Sequence, residues 1–400
     1  MSKLDELLRE LCPNGVEYKT LGEIAVDIYR GAGITRDQVT AEGTPCVRYG
    51  EIYTTYGVWF DKCVSHTDES KLLSKKYFEH GDILFAITGE SVDDIAKCCV
   101  YIGHEKCLAG GDIVVLKHNQ NPKYLSYALA TTDARQQKSK GKVKSKVVHS
   151  SVPAIREIKV PVPPIEIQRE IVRILDNFTN LTAELTAELT ARGIQYSYYR
   201  NKLLTFHSDT KIVQLTDIAD IGTGSSNTNE AVEDGKYPFF VRSQEPLRKN
   251  DYEYDETAII TAGDGVGVGK VYHYIEGKYA LHQRAYRIHI NTPEVMPKYY
   301  FHYMKAKFLP YIQKTMFQGS VASIRRPMLN AFPVPVPPLD IQNRIVNVLD
   351  NFEKICSDLN IGLPAEIEAR QKQYEYYRDK LLTFAENGNT ILSRAEQSID

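Results

Sequence analysis

Two sets of residues in this chain have the types and spacing to grip an anion. Residues 135–146 read RQQKSKGKVKSK, placing Arg135, Lys138, Lys140, Lys142, Lys144 and Lys146 together with no acid among them. Alternate residues of an extended chain share a side, so these lysines form a one-sided cationic strip. The strip suits phosphate contact, which positions a protein on nucleic acid and makes binding salt-dependent. A solvated loop is the plainer alternative. Arg325 and Arg326 occupy a roughly equivalent place later in the chain. Arg242, Arg284 and Arg287 are candidates for reading guanine edges with two parallel bonds, or for internal ion pairs. Residues 264–270 (DGVGVGK) have neither the phosphate-loop spacing nor GxGxxG. They read as a glycine-rich turn between strands, or as a close backbone approach that brings Lys270 to a phosphate.

Catalytic chemistry is poorly supplied. The chain holds no HExxH, no GxSxG and no Pro-Pro amide-methylation motif with an aromatic ending. Its ten histidines are scattered, so His149 and His282 read as surface or core residues. No catalytic residue and no metal ligand is assigned. The seven cysteines make no CxxC pair, which argues against a disulfide framework or a common zinc site and fits a reducing cytoplasm. Lys+Arg 49 against Asp+Glu 51 leaves a net charge of −2. Nucleic-acid binding must therefore come from local basic surface, not bulk charge. With 42% hydrophobic and 25% charged residues, the chain is cored and soluble, and no apolar run reaches a membrane span.

The elements that must carry these residues are duplicated. Residues 160–178 read VPVPPIEIQREIVRILDNF and 334–352 read VPVPPLDIQNRIVNVLDNF, identical at 13 of 19 positions. Residues 192–206 (RGIQYSYYRNKLLTF) and 370–384 (RQKQYEYYRDKLLTF) match at 11 of 15. Each copy predicts a long helix. Ile167, Ile171, Ile174, Phe178, Leu181 and Leu185 follow a 4-3 spacing, repeated by Ile341, Ile345, Val348, Phe352, Ile355 and Leu359. That is the seam of a helix pair, with packing of each helix on its own globular domain as the alternative. Pro163-Pro164 and Pro337-Pro338 set an extended entry into each helix. The first helix carries LTAELTAELTA at 181–191; the second has Asn360-Ile361-Gly362-Leu363-Pro364, which predicts a break. The intervening segments read as strand-rich and share only their openings, Leu21 to Ala25 and Leu215 to Ala219. The helix ends repeat tyrosines: Tyr196, Tyr198 and Tyr199, then Tyr374, Tyr376 and Tyr377. Packing is one account of them, and a twice-presented docking surface for a symmetric pair of partners is the other.

Two unlike domains, each followed by a helix opening PxPPxxxQ and ending near YYRxKLLTF, resemble the specificity subunit of Type I restriction–modification enzymes. The resemblance spans about residues 15–385, and the tandem TAEL is similar to the branch with that spacer. It implies an α+β fold: two globular target-recognition domains separated by two long antiparallel helices forming a coiled coil, as a pseudo-twofold internal repeat. The boundaries expected are 1–157 for the first domain with its short N-terminal helix, 158–207 for the central helix, 208–332 for the second domain, 333–385 for the C-terminal helix and 386–400 for a tail. Each domain would read one half of a bipartite, asymmetric site on double-stranded DNA. The helices would fix the spacing and dock two methylation subunits, followed by two restriction subunits. The chain itself would be non-catalytic and cofactor-free, with S-adenosylmethionine, ATP and Mg bound by those partners. A stand-alone DNA-modifying enzyme and a coiled-coil protein adaptor are the competing classes.

Overall fold

A computed structural model describes residues 2–139, 142–144, 147–315 and 323–384. It mixes helix and sheet and divides into two compact units: residues 1–184 with the chain from Ile367 onward, and residues 185–366.

The first unit opens on helix Lys3–Leu11. Ser2 caps it: the Ser2 hydroxyl accepts the Asp5 amide, and the Ser2 amide donates to the Asp5 carboxylate at 2.9 Å. Leu4 and Leu8, one turn apart, are buried. Strand Tyr18–Thr20 pairs antiparallel with Lys159–Pro161, so the two ends of the globular head meet in one ribbon. Inside it lies a five-stranded sheet in the order Ala25–Arg30, Ile113–His118, Ile83–Ala86, Cys98–Tyr101, Trp59–Phe60. Strand Ile83–Ala86 is apolar throughout because both its faces are covered. Ile83 and Phe85 join the core beneath helix Pro122–Ala130, while Leu84 and Ala86 face a second core with Phe78 and Tyr101. A further five-stranded sheet includes Thr44–Val47 and Cys107–Ala109.

The second unit repeats the plan. Its ribbon pairs Ile212–Gln214 with Pro333–Pro335, and Pro335 stands where Pro161 stands in the first copy. Its six-stranded sheet runs Ala219–Thr223, Ala285–Ile290, Tyr254–Ala262, Tyr272–Leu281, Tyr237–Phe240, Leu247–Lys249. Ile259 packs on one face of the sheet and Ala258 and Ile260 on the other, the same alternation as in the first head.

The long helix Ile165–Leu203 is unbroken. The second is interrupted, as predicted, into Leu339–Ser357 and Leu363–Leu382. The Asp358 carboxylate accepts the amides of Asn360 and Ile361 at 2.7 and 3.2 Å, and Pro364 sits in the first turn of the restart. Helices pair within each unit: Phe178 stacks on Tyr377 at 5.4 Å in the first, and Tyr199 on Phe352 at 5.9 Å in the second. The partners run in opposite senses.

The predicted seam needs correction. The deepest residues are Ile167, Ile171 and Leu175, then Ile345, Val346 and Leu349, and they pack on the head of their own unit. Val348 and Ile355 are exposed, and Leu359 is 74% exposed. Each helix is foremost a platform for a head, and helix pairing uses the flank of that face. A 4-3 pattern admits both readings because a heptad stripe and the edge of a wider apolar face share positions.

Candidate nucleic-acid interface and its mounting

The repeated PxPPxxxQ motif explains how each head is mounted. Gln342 is fully buried, and its amide nitrogen donates at 2.8 Å to both the Pro337 and Glu294 carbonyls. Its Oε1 accepts the Met296 amide, also at 2.8 Å. Gln168 does the same in the first unit, donating to the Pro163 carbonyl and the Gln120 side chain and accepting the Asn121 amide at 2.9 Å. One glutamine thus ties the proline turn before the long helix to the loop before the head's own helix. The head helices, Pro122–Ala130 and Pro297–Thr315, then lie against it. The Tyr124 hydroxyl donates to the Pro161 carbonyl at 2.9 Å and that of Tyr299 to Pro335 at 3.0 Å. Asp176 accepts from Tyr127 at 2.7 Å and pairs with Lys123, and Asp350 meets His302 and Lys298 in the matching place.

Among the described residues, His302, Asp350 and Glu353 bring ligand atoms within 4.8 Å of one another. The Lys305 ammonium already lies 2.7 Å from Glu353, and Lys298 lies 3.8 Å from Asp350. A cation's place is filled by lysine, and the first unit builds the same contact from a tyrosine. Burial pushes the His302 imidazole pKa down, against the pull of Glu353 and Asp350. The cluster is part of the mount.

At one end of the second head, three strand ends converge. Arg242 follows strand Tyr237–Phe240, Asp264 follows Tyr254–Ala262, and Arg284 lies in the turn between Tyr272–Leu281 and Ala285–Ile290. Arg242 Nη1 meets Asp264 Oδ1 at 2.6 Å, and Arg284 Nη1 meets Oδ2 at 3.1 Å. Burial works to raise the Asp264 pKa, but hydrogen bonds and charge from the two arginines outweigh it and hold the carboxyl below its usual range. His282 lies buried beside them, and burial and the same arginines lower its pKa.

The other predicted contacts are distributed differently. Arg135, Lys270 and Arg325 are exposed. Lys142 and Lys144 take alternate positions on strand Lys142–Lys144, which pairs with Val147–His149. Their side chains, and Lys140 and Lys146, lie outside the described residues. Lys138 is a correction: it is buried, and its ammonium caps the Leu129 carbonyl at 2.6 Å. Helical periodicity over Thr132–Lys138 turned it inward, where the alternating lysine pattern had suggested an extended strip. Arg287 is a second correction: only 12% exposed, it is held by Asp220 and, at 3.0 Å, by Glu256. Arg326 donates to the Ile221 carbonyl at 2.6 Å, tying its helix to the sheet. The 264–270 loop closes on itself: the Val268, Lys270 and Val271 amides donate to Gly265 and Gly267 carbonyls, leaving them unavailable to a phosphate. A Cβ on Gly267 would fall 2.4 Å from the Arg242 carbonyl, so glycine is required there by close approach.

The repeated tyrosines split by depth. Tyr374 is buried against Tyr127, and the Tyr196 hydroxyl donates to Glu353 at 2.9 Å, so both pack the mount. Tyr198 and Tyr376 are 59% and 61% exposed, each edge-on to the next tyrosine, Tyr199 or Tyr377. Among the described residues no helix is long and apolar enough to cross a membrane.

A family model described as the Type I restriction modification DNA specificity domain matches residues 13–192 and 207–369. The EcoR124I/EcoR124II specificity subunit of Escherichia coli is 36% identical over 260 residues, 56% of this chain and 63% of that subunit. A putative type I restriction enzyme specificity subunit of Haemophilus influenzae is 31% identical over 271 residues, 61% of this chain and 68% of its own length. The aligned stretch thus spans less than two thirds of the Escherichia coli relative. The fold is that of the crystal structure of a Type I system S subunit from M. genitalium, with a TM-score of 0.57 at 15% identity, covering 93% of this chain and 98% of that one. A chain from a structural study of type I complex assembly and conformational transition gives a TM-score of 0.58 at 16% identity, covering 92% and 98%. With both halves matched by one family model, the chain belongs to the Type I restriction–modification DNA specificity family.

Proposed function

We propose that this chain is the DNA-reading subunit of a type I restriction–modification assembly. Each head reads one half of a bipartite, asymmetric duplex site, and the paired helices set the gap between the halves. Exposed Tyr198 and Tyr376, repeated in near-identical surroundings, offer two equivalent seats for two methylation subunits. Those subunits supply S-adenosylmethionine and the methyl transfer; two restriction subunits supply ATP and Mg chemistry. This chain contributes no catalytic residue and works in the cytoplasm. Arg135, Lys140, Lys142, Lys144, Lys146, Lys270 and Arg325 serve as phosphate contacts that position the heads.

The observation that carries this reading is one mount used twice under dissimilar reading edges. Gln168 and Gln342 hold their heads by equivalent bonds, while the sheets above them differ in strand number. Such a design keeps geometry constant and frees each edge to recognise a different sequence. The test is reconstitution with methylation subunits. The assembly is expected to methylate a split motif on duplex DNA, with affinity falling steeply as salt rises. Methyl transfer by this chain alone, or salt-insensitive binding, would contradict it.

A further inference from the structure

We infer that Arg242 and Arg284, held together on Asp264, are the base-reading centre of the second head and select guanine in its half-site. The inference rests on the DNA-reading function proposed above. Two guanidinium groups placed side by side repel, and here a carboxylate only 22% exposed accepts one bond from each and fixes both. The arginine side chains are 42% and 60% exposed, so the arrangement contributes little to stability. Among the described residues their remaining guanidinium nitrogens make no hydrogen bond. These are pre-aimed donor forks, and guanine O6 and N7 are the acceptor pair that such a fork matches.

The register of the two heads shows that this position is a point of difference. In the second head the Gly263 amide donates to the Arg284 carbonyl, and the His282 amide to Phe240. In the first head the Ile87 amide donates to the Asp112 carbonyl, and the Gly110 amide to Val47. Both turns place three residues between matching strands, from Ala109 to Ile113 and from Leu281 to Ala285. Arg284 therefore stands where the first head has Asp112, and Asp264 where it has Thr88. Asp112 is paired with Arg30 at 2.6 Å. One scaffold presents two donor forks in the second head and a carboxylate with one arginine in the first. A pure phosphate grip has no need to reverse charge between heads; reading two different sequences does.

The experiment maps methylated sites produced by the assembly carrying Arg284→Ala, Arg242→Ala or Arg284→Lys, each checked for assembly with methylation subunits. The expected result is loss of one guanine requirement in the second half-site, with selectivity there falling about tenfold to a hundredfold. The first half-site stays unchanged. Arg284→Lys keeps the charge but not the fork, so it is expected to relax the motif while preserving the salt dependence. An unchanged motif, or full function of Arg284→Lys with uniform weakening by Arg284→Ala, identifies a phosphate contact and overturns the inference. A wild-type assembly without a split motif overturns the underlying function and this inference with it.

Discussion

Replacing Gln342 by alanine tests how the heads are mounted. The side chain is fully buried and makes three bonds of 2.8 Å, to the Pro337 and Glu294 carbonyls and from the Met296 amide. Truncation leaves one donor and two acceptors without that partner, at about 1–3 kcal/mol each where no water reaches them. Carbonyls tolerate a lost bond better than an amide does, so the total expected is about 3–5 kcal/mol. For a unit of roughly 180 residues, a shift of about 2–4 °C per kcal/mol gives a fall near 10 °C in its unfolding midpoint. Gln342→Glu is the sharper control. It keeps the shape and the acceptor for Met296, yet it faces two carbonyls with a carboxylate, so it is expected to be at least as damaging. Calorimetry of the full chain reads both variants, and Gln168→Ala is expected to act alike on the first unit. A loss below about 1 kcal/mol for Gln342→Ala would refute the hub, because water or a rearranged loop would then be satisfying those groups.

Three further outcomes follow from the structure. Burial pushes the His118 imidazole down to about 4, while in the unfolded chain it titrates near 6.5. The unfolded state therefore binds the extra proton, and the stability from this group is full above pH 6.5 and lost as pH falls towards 4. The loss is about 3 kcal/mol, and His118→Asn should flatten urea midpoints over that window. Arg287→Ala should cost about 3 kcal/mol, chiefly because it strands the largely buried Glu256 while Asp220 stays in solvent, whereas Arg284→Ala should leave the melting temperature almost unchanged. Adding one TAEL to residues 181–191 lengthens the helix by about 6 Å and rotates it by a net ~40°. The methylated motif should then gain one or two unread base pairs; an unchanged gap defeats the spacing role.

Much of this was legible in the sequence because repetition is independent of propensity. The matched blocks at 160–178 and 334–352 announced two helices, and Gly362 with Pro364 located the break in one of them. Depth was not legible. Val346 and Leu349 lie beside the predicted 4-3 stripe, and only the packed head shows that they, not Val348 and Ile355, face the core. The PxPPxxxQ glutamines were visible as a signature, but their bonds run to residues 46 to 48 positions away, which no local pattern encodes. Arg242, Asp264 and Arg284 likewise meet only because three strands end at the same side of one sheet. Arg287, three residues from Arg284, sits inside a strand and turns inward. A signal for it was present: period-two alternation on Ala285–Ile290 puts Arg287 on the face opposite Ile288. Charge alone could not separate the two.

The measurement that bears most directly on the account is a head exchange read by sequencing of methylated DNA. Residues 20–155 are replaced by the corresponding head of another family member whose motif is known, and the hybrid is assembled with its methylation subunits. One half of the recognised site should change to that of the donor, with the other half and the gap between them intact. Alteration of both halves, or of the gap, would contradict independent reading by two heads on a common mount.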